Sequence, residues 1–136
     1  MANLSNYAEE IFLNHVFRDE SISLDGNYLG LVSSSATDED LENGDLTDEI
    51  TGYDGDRKSA SYNSAYQSEG KGTIENDGNI DFENMPNEEI GYVILCDSAT
   101  KGSGNIIIWA PADSVKTANE GDTYRIQDGQ FTTQID

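Results

Sequence analysis

The sequence predicts a mainly β fold, either an antiparallel β-sandwich or a jelly-roll-like domain, with one amphipathic α-helix at the N-terminus. Apolar runs with the length and the β-branched and aromatic composition of strands fall near the C-terminus, at residues 90–96, 105–110, 123–126 and 131–135. Between them lie clusters of Gly, Asn, Asp and Ser, which favour turns. We therefore expect the hydrophobic core to form around this part of the chain.

The last two runs are joined by residues 127–130, which contain Asp128 and Gly129. The Asp-Gly dipeptide suits a tight turn between two strands because both residues tolerate positive φ angles. We expect these two runs to pair with each other as a closing β-hairpin.

The length and net charge of the chain limit the number of its domains and the classes of protein to which it can belong. With 136 residues, the chain has the size of about one domain, and we expect a single β-domain over residues 1–136. Its 27 acidic and 7 basic residues give a formal net charge of -20. This charge disfavours direct nucleic-acid binding, because the phosphate backbone would be repelled. The acidic excess is explained either by a solubilising surface, which is the simpler interpretation, or by cation sites.

The N-terminus and the lack of a long apolar stretch lead us to expect a soluble protein that is synthesised without a signal peptide. No apolar stretch approaches the roughly 20 residues needed to cross a bilayer, and no basic segment precedes an apolar one at the N-terminus. Cys96 is the only cysteine, so an intrachain disulfide is excluded. Because Cys96 lies within an apolar run, we expect it to be a small buried residue.

Residues 4–18 are predicted to form the amphipathic helix, with Ser5 or Asn6 as its N-cap. Its apolar positions recur at spacings of three and four, and a face this apolar must pack on the β-domain or on a neighbouring subunit. A lone histidine on such a face is more often a packed or capping residue than a ligand. The residues predicted to contact a partner or a second subunit are Tyr7, Ile11, Phe12, His15 and Val16.

A first strand is predicted at residues 28–33 after a turn at residues 26–27, and Gly30 within the strand indicates the close approach of another element. The acidic segment 37–49 partly fits a calcium loop counted from Asp38. Its glycine falls at position 7, whereas an EF-hand needs it at position 6. We therefore interpret the segment as a solvated loop and predict no metal site.

Residues 57–63 are predicted to form an edge strand that begins with Arg57 and Lys58, two of the 7 cations. These cations either pair with the acidic segment before them or contact an acidic partner, and both residues are included among the predicted partner contacts. Residues 64–77 are expected to be a loop or a weakly paired strand. A strong turn at 76–79 then precedes a short strand at 80–82.

The sequence offers no persuasive catalytic site, and we predict that the protein is not an enzyme and needs no cofactor. One histidine on a helical face gives no base for a hydrolytic triad, and counts of one Cys and one His exclude metal sites built from those residues. No phosphate-binding loop is present. A glycosidase-type carboxylate pair remains open among the 27 acids, but no spacing indicates one.

The order of several motifs along the chain resembles that of a known family. The motifs are the helix at 4–9, the strand at 28–32, the turn at 49–57 with Gly52 and Tyr53, the element at 78–82, the run at 91–100 and the tail at 116–123. In this order they are similar to short tailed-bacteriophage structural proteins, which are often labelled tail-fibre-like. The sequence departs from that pattern at residues 87–91, where Trp-Gly is usual, and in its heavier acidic insertions. The resemblance implies a β fold and a virion structural role.

Within this family, the sequence favours a capsid decoration, or cement, protein over a fibre shaft. A shaft obtains its length from repeats, and the sequence contains no internal repeat. A small acidic domain with a free helix face suits binding to the major capsid protein across subunit junctions, where repetition multiplies a modest contact. We expect the protein to form a homo-oligomer, for which we suggest a trimer. We expect it to be made in the host cytoplasm and to lie on the outer capsid surface of the virion.

Two alternatives stay open. A tail fibre or a receptor- or glycan-binding tip would use aromatic residues in loops, with Tyr53, Tyr62, Tyr66 and Trp109 as candidates, although Trp109 lies in an apolar run and is expected in the core. An enzyme acting on surface polysaccharide would need a pair of catalytic acids.

Overall fold

The computed structural model describes residues 2–22 and 27–135. This part of the chain is mainly β, as predicted, with a helix near the N-terminus. In chain order the elements are β1 (Asn3–Leu4), α1 (Asn6–Arg18), β2 (Tyr28–Ser33), α2 (Asp38–Glu42), β3 (Lys58–Ser59), β4 (Ser61–Tyr62), β5 (Tyr66–Ser68), β6 (Lys71–Asp77), β7 (Ile80–Phe82), β8 (Glu88–Cys96), β9 (Ile106–Ala118), β10 (Tyr124–Ile126) and β11 (Thr132–Ile135).

The largest sheet has five antiparallel strands in the order β1-β9-β8-β2-β3. Leu31 of β2 lies opposite Val93 of β8, and Ile94 of β8 lies opposite Trp109 of β9. Both faces of the sheet are covered. The central strands therefore carry continuous apolar runs instead of alternating ones, because alternation requires one wet face.

One face of the five-stranded sheet forms the larger core. Leu29 and Leu31 on this face belong to the same buried cluster as Phe82 of β7 and Ile126 of β10, which pair as a two-stranded ribbon. Tyr53 meets Phe82 edge to face, with ring centroids 5.0 Å apart. The sheet and the ribbon are thus held together in a sandwich-like arrangement by apolar side chains.

The opposite face forms a second core that is covered by α2. Val32, Ile94 and Trp109 cluster there with Leu41, which is fully buried. Trp109 is therefore in the core, as predicted. Its Nε1 donates a hydrogen bond of 2.7 Å to Oε2 of Glu42, so the last residue of α2 is tied to β9.

Gly91 lets β8 serve both cores. The pairing of β8 with β9 shifts register between Ile90 and Tyr92. In a regular strand, side chains three positions apart point to opposite faces of the sheet. Because of the register shift, Ile90 and Val93 both belong to the larger core. A Cβ on Gly91 would lie 2.6 Å from the Cα of Ser34, so no other residue fits at this bulge without moving the backbone.

The predicted closing hairpin is wrong, because β10 pairs with β7 while β11 pairs with β6 in a separate sheet of the order β11-β6-β4. Asn76 of β6, which is fully buried, fixes the connection. Its Nδ2 donates to the carbonyl of Gln127 at 3.0 Å, and its Oδ1 accepts from the amide of Phe131 at 2.9 Å. Gly129 does adopt a positive φ of 74°, but this turn directs the chain to another sheet.

Three other expectations need correction. The acidic segment 37–49 is not simply a solvated loop, since it contains α2, capped reciprocally by Thr37 and Asp40, and the buried Leu41. Residues 64–77 form the hairpin of β5 and β6, and β6 is a central strand that pairs with β4, β5 and β11. Leu4 lies in strand β1 rather than in the helix.

Several expectations are confirmed. Strands β2 and β7 have the predicted bounds, Ser5 is the N-cap of α1, and Cys96 is fully buried. The predicted edge strand at 57–63 is divided between β3 and β4, which pair with different sheets. Residue 26 of the predicted turn lies outside the described residues. No helix in the described part is long and apolar enough to cross a membrane.

Candidate interaction surfaces

Helix α1 is anchored to the central sheet by Ser5. The side-chain oxygen of this buried serine accepts a hydrogen bond of 3.2 Å from the amide of Ala8 and donates one to the carbonyl of Ile106. Its own amide donates to the carbonyl of Ile107 at 3.0 Å. The helix therefore starts at a fixed point on β9, and it ends at Asp19, whose φ of 55° is left-handed.

Only one side of α1 packs on the protein. Ala8 is buried, and Ile11 is half-buried on the same side. At 100° per residue, four large apolar residues lie between about 40° and 180° around the helix from Ala8, turned away from Ile11, and we name them the α1 outer face. They are Phe12, Leu13, Val16 and Phe17, with exposed fractions of 52%, 53%, 53% and 79%. An exposed apolar patch of this kind on a small domain is typical of an interaction site.

The predicted contact residues of α1 are therefore divided between its sides. Phe12 and Val16 belong to the outer face, Tyr7 is exposed in the first turn of the helix, and Ile11 is half-buried against the protein. His15 is exposed, and its Nδ1 lies 2.7 Å from the carbonyl oxygen of Glu20 just beyond the helix. Sequence periodicity missed Leu13 and Phe17. The sequence does indicate these two residues, because the helix contains more apolar residues than a single packed stripe can bury.

Arg57 is buried in an ion pair with Glu49, and neither side chain has any exposed surface. The guanidinium donates to both carboxylate oxygens, at 2.6 and 2.8 Å, and its Nη1 donates to the carbonyls of Ser98 and Ser103, both at 2.8 Å. The interpretation that Arg57 pairs with the acidic segment is confirmed. The alternative, a contact between Arg57 and an acidic partner, is wrong because the side chain does not reach the surface.

The groups around this ion pair stabilise its charges and leave room for its side chains. Burial has the largest single effect and works against the charged form of Arg57. The hydrogen bonds that Arg57 donates to Glu49 and the electrostatic effects of Cys96, Glu49 and Tyr53 together outweigh it, so the pKa of Arg57 is raised. A Cβ on Gly30 would lie 3.0 Å from Oε2 of Glu49, which confirms the predicted close approach at this glycine. The amide of Gly102 donates to Oε1 of Glu49 at 2.8 Å. Three segments of the chain thus meet at one buried carboxylate.

Lys58 and Lys101 both serve the loop around Tyr53. Lys58 is half-buried and donates to the carbonyl of Asp54 at 2.8 Å. The Nζ of Lys101 lies 3.7 Å from the centroid of the Tyr53 ring and donates to the carbonyl of Thr51 at 3.0 Å. These cations stabilise a turn of their own chain.

The four aromatic residues proposed for a glycan-binding tip do not share a surface. Tyr53 and Trp109 are buried in different cores, and Tyr62 is half-buried. Tyr66 is exposed on β5, where its hydroxyl lies 3.4 Å from Oε2 of Glu75. The structure therefore offers no aromatic platform made from this set.

A cleft of about 540 Å³ lies between β9, β10 and β11. Its walls include Lys116, Arg125 and Phe131. Arg125 forms a bidentate ion pair with Asp81 at 2.6 and 2.9 Å.

Along β9, residues 112–115 bulge out of the ladder because Pro111 pairs with Tyr92 and Lys116 pairs with Ile90. A proline and a bulge are features that protect an edge strand from pairing with other chains.

The described residues contain no group of three or more His, Cys, Asp or Glu side chains that could hold a metal ion. Cys96 is the only cysteine, and burial raises the pKa of its thiol to about 12. The thiol is therefore neutral at physiological pH and unsuited to act as a nucleophile.

A comparison with protein-family models decides the family. Residues 3–134 match the family Gp80, described as "Podophage GP4 fiber I protein gp80". The chain belongs to this family. It is therefore a structural protein of a bacteriophage virion, which agrees with the resemblance seen in the order of its sequence motifs. No curated protein matches the chain.

Proposed function

We propose that the chain is a non-enzymatic structural module of the tail fibre of a podophage, which joins its assembly by binding a neighbouring virion protein through the α1 outer face. The α1 outer face is the observation that carries this proposal, because it exposes four large apolar side chains on a helix whose opposite side is packed. The family description supports the fibre as the location.

The way α1 is held suits a structural contact. The Ser5 hydrogen bonds attach the start of the helix to β9, and β9 pairs with the buried strand β8 at the centre of the main sheet. A neighbour bound to α1 would therefore be coupled to a rigid sheet rather than to a loop. In this role the β-domain is a globular module of the fibre and not its shaft, which agrees with the absence of an internal repeat.

The absence of a catalytic role is part of the proposal, and the positions of the two most reactive side-chain types support it. His15 is exposed on α1, and among residues 2–22 and 27–135 its ring is hydrogen-bonded to a backbone carbonyl and to no nucleophile or acid. Cys96 is buried with a raised pKa. Neither residue lines the cleft between β9 and β11.

Quantitative analysis of purified virions tests the proposal. We expect Leu13→Glu and Phe17→Glu to lower the amount of this protein per virion by at least about tenfold, because each places a charge in an apolar contact. Val115→Glu is the matched control, since Val115 is 56% exposed on β9, eight positions after Ile107, to which Ser5 is bonded. Unchanged incorporation of both α1 variants would contradict the proposed contact.

Capsid decoration is the second candidate, and the compact β fold without a repeat favours it. In this role the protein would bind the major capsid protein on the outer surface of the shell, in several copies around a symmetry axis. Immunogold labelling of intact virions separates the two locations. Label on the tail supports the fibre assignment, whereas label on the head supports decoration and contradicts the fibre assignment.

A further inference from the structure

The partner of the α1 outer face can be specified further from the charges around it. Glu9 and Glu10 lie one turn before Phe12 and Leu13, and Asp19 and Glu20 follow Phe17 after one intervening residue. All four acidic residues are exposed. One nearby cation, Arg18, forms an exposed ion pair with Glu20 at 2.9 Å. The apolar stripe is thus bordered by acidic residues at both of its ends.

These charges disfavour a second copy of the chain as the partner. If two copies paired their outer faces in antiparallel fashion with Phe12 opposite Phe17, Glu9 and Glu10 of one copy would meet Glu20 and Asp19 of the other. Arg18 is then a single cation among four acidic residues. In a parallel pairing, Glu9 would face Glu9. Each copy also carries a net charge of -20, which adds long-range repulsion.

We infer that the α1 outer face docks as a helix into an apolar groove rimmed by lysine or arginine side chains on a different protein of the virion. This inference rests on the proposed function, since it names the partner chemistry of the same surface. Docking of an amphipathic helix into a groove is a recurrent recognition mode, in which apolar side chains provide affinity and the charges at the rim fix orientation and partner choice.

The size of the patch explains why a groove is required. The four outer-face side chains expose roughly 400 Å² of apolar surface, well below the approximately 800 Å² that each partner contributes to a standard interface. A flat contact of that size would be weak. A groove also covers the flanks of the helix and brings basic groups next to the acidic ends of the stripe.

The test uses particles of a phage deleted for the gene of this protein, to which the purified protein is added back and its binding measured by co-sedimentation. The triple variant Glu9→Gln, Glu10→Gln and Asp19→Asn removes the acidic border. We expect it to bind about tenfold more weakly at 50 mM salt and to lose most of the salt dependence of the unmodified protein. Circular dichroism checks that the helix is retained.

A control triple variant, Asp77→Asn, Glu83→Gln and Glu120→Gln, changes the net charge equally at exposed positions far from α1 in the sequence. We expect it to bind like the unmodified protein. If both triple variants weaken binding equally, only net charge matters and the inference is wrong. If the α1 triple variant binds as tightly as the unmodified protein, a basic rim is excluded.

Photocrosslinking identifies the occupant directly. With benzoylphenylalanine in place of Phe17, irradiated virions should yield a crosslinked peptide from another virion protein, with Lys or Arg next to apolar residues. The same probe at Tyr66 is the control, since Tyr66 is 45% exposed on β5. A crosslink to a second copy would overturn this inference and leave the proposed function intact. Particle binding that is unaffected by Phe17→Glu would refute both.

Discussion

Two regions of the molecule reverse the usual distribution of polar and apolar side chains. At the Glu49–Arg57 site, a pair of charges is completely buried, whereas on the α1 outer face four large apolar side chains lie at the surface. In the first region the charges are satisfied by each other and by three loop groups. In the second region nothing in the described chain covers the apolar groups.

The difference separates folding from binding. The buried ion pair closes the segment before β3 onto the loop between β8 and β9, so it contributes to the folded state. The outer face of α1 contributes little to folding, because its side chains keep most of their solvent contact. We therefore expect substitutions in the two regions to act on different measurements. The predictions below compare buried polar groups, at this site and elsewhere in the fold, with the α1 outer face, in order of decreasing effect on stability.

Substitution of Arg57 by Ala should destabilise the protein by about 3–5 kcal/mol, because it leaves the carboxylate of Glu49 buried without its partner. Urea unfolding measured by circular dichroism gives this free energy. Arg125→Ala is the matched control. It breaks the bidentate pair with Asp81, in which Arg125 is 51% exposed, and should cost at most about 1 kcal/mol. Similar losses for both variants would contradict the assignment of Arg57 as a buried structural charge.

Substitution of Asn76 by Ala should cost roughly 2–4 kcal/mol, because the amide of Phe131 and the carbonyls of Gly78 and Gln127 lose their partner inside the protein. Thermal and urea unfolding both measure the loss. Asn63→Ala, at an exposed position, should change stability by less than about 0.5 kcal/mol. If Asn76→Ala were equally mild, another group would be holding the connection between β10 and β11.

Stability should fall as the pH rises above about 9. Burial raises the pKa of Cys96 from 9.0, its ordinary value, to about 12 in the folded chain, and it raises the pKa of Tyr62 to about 12 as well. The unfolded chain loses these protons first, so their contribution is complete below pH 9 and is lost between pH 9 and 12. Urea unfolding at pH 8 and pH 10.5 measures the change. Cys96→Ala should show a smaller decrease, and an identical decrease would contradict the role of the thiol.

Phe17→Ser should leave the free energy of unfolding within about 0.5 kcal/mol of the unmodified value, because the side chain is 79% exposed. Ala8→Ser, on the packed side of the same helix, should be more destabilising. The same unfolding experiment measures both variants. A loss of more than about 2 kcal/mol for Phe17→Ser would mean that the outer face belongs to the folded core of this chain.

The central strands could be predicted because their composition is decisive. Residues 28–33 and 80–82 match β2 and β7, and the apolar run at 90–96 falls inside β8. The glycine at position 30 correctly indicated an approaching element. These signals are local, since β-branched residues and a glycine within a strand each carry their meaning in a few neighbouring positions.

The elements that were missed depend on distant contacts. Strand β6 is polar in sequence, and it becomes central because three other strands pair with it. The prediction of a closing hairpin was wrong because Asn76, about 50 positions earlier in the chain, binds the connection between β10 and β11. The turn at Asp128 and Gly129 therefore does not join two paired strands. Helix α2 is only five residues long, and its acidic composition concealed the one buried leucine.

The candidate surface was predictable only in part. Spacing identified α1 as amphipathic and named Phe12 and Val16, but it could not show which side of the helix the sheet would cover. Arg57 was named as an alternative partner contact because few cations occur in the chain, and its burial depends on Glu49 and on loop carbonyls more than 40 positions away.

A reconstruction of the intact virion that resolves side chains tests the central claim most directly. We expect Phe12, Leu13, Val16 and Phe17 to be covered by a neighbouring virion protein, with basic side chains near Glu9 and Asp19. Density in which the α1 outer face remains exposed to solvent, while another surface of the domain makes the contacts, would contradict it.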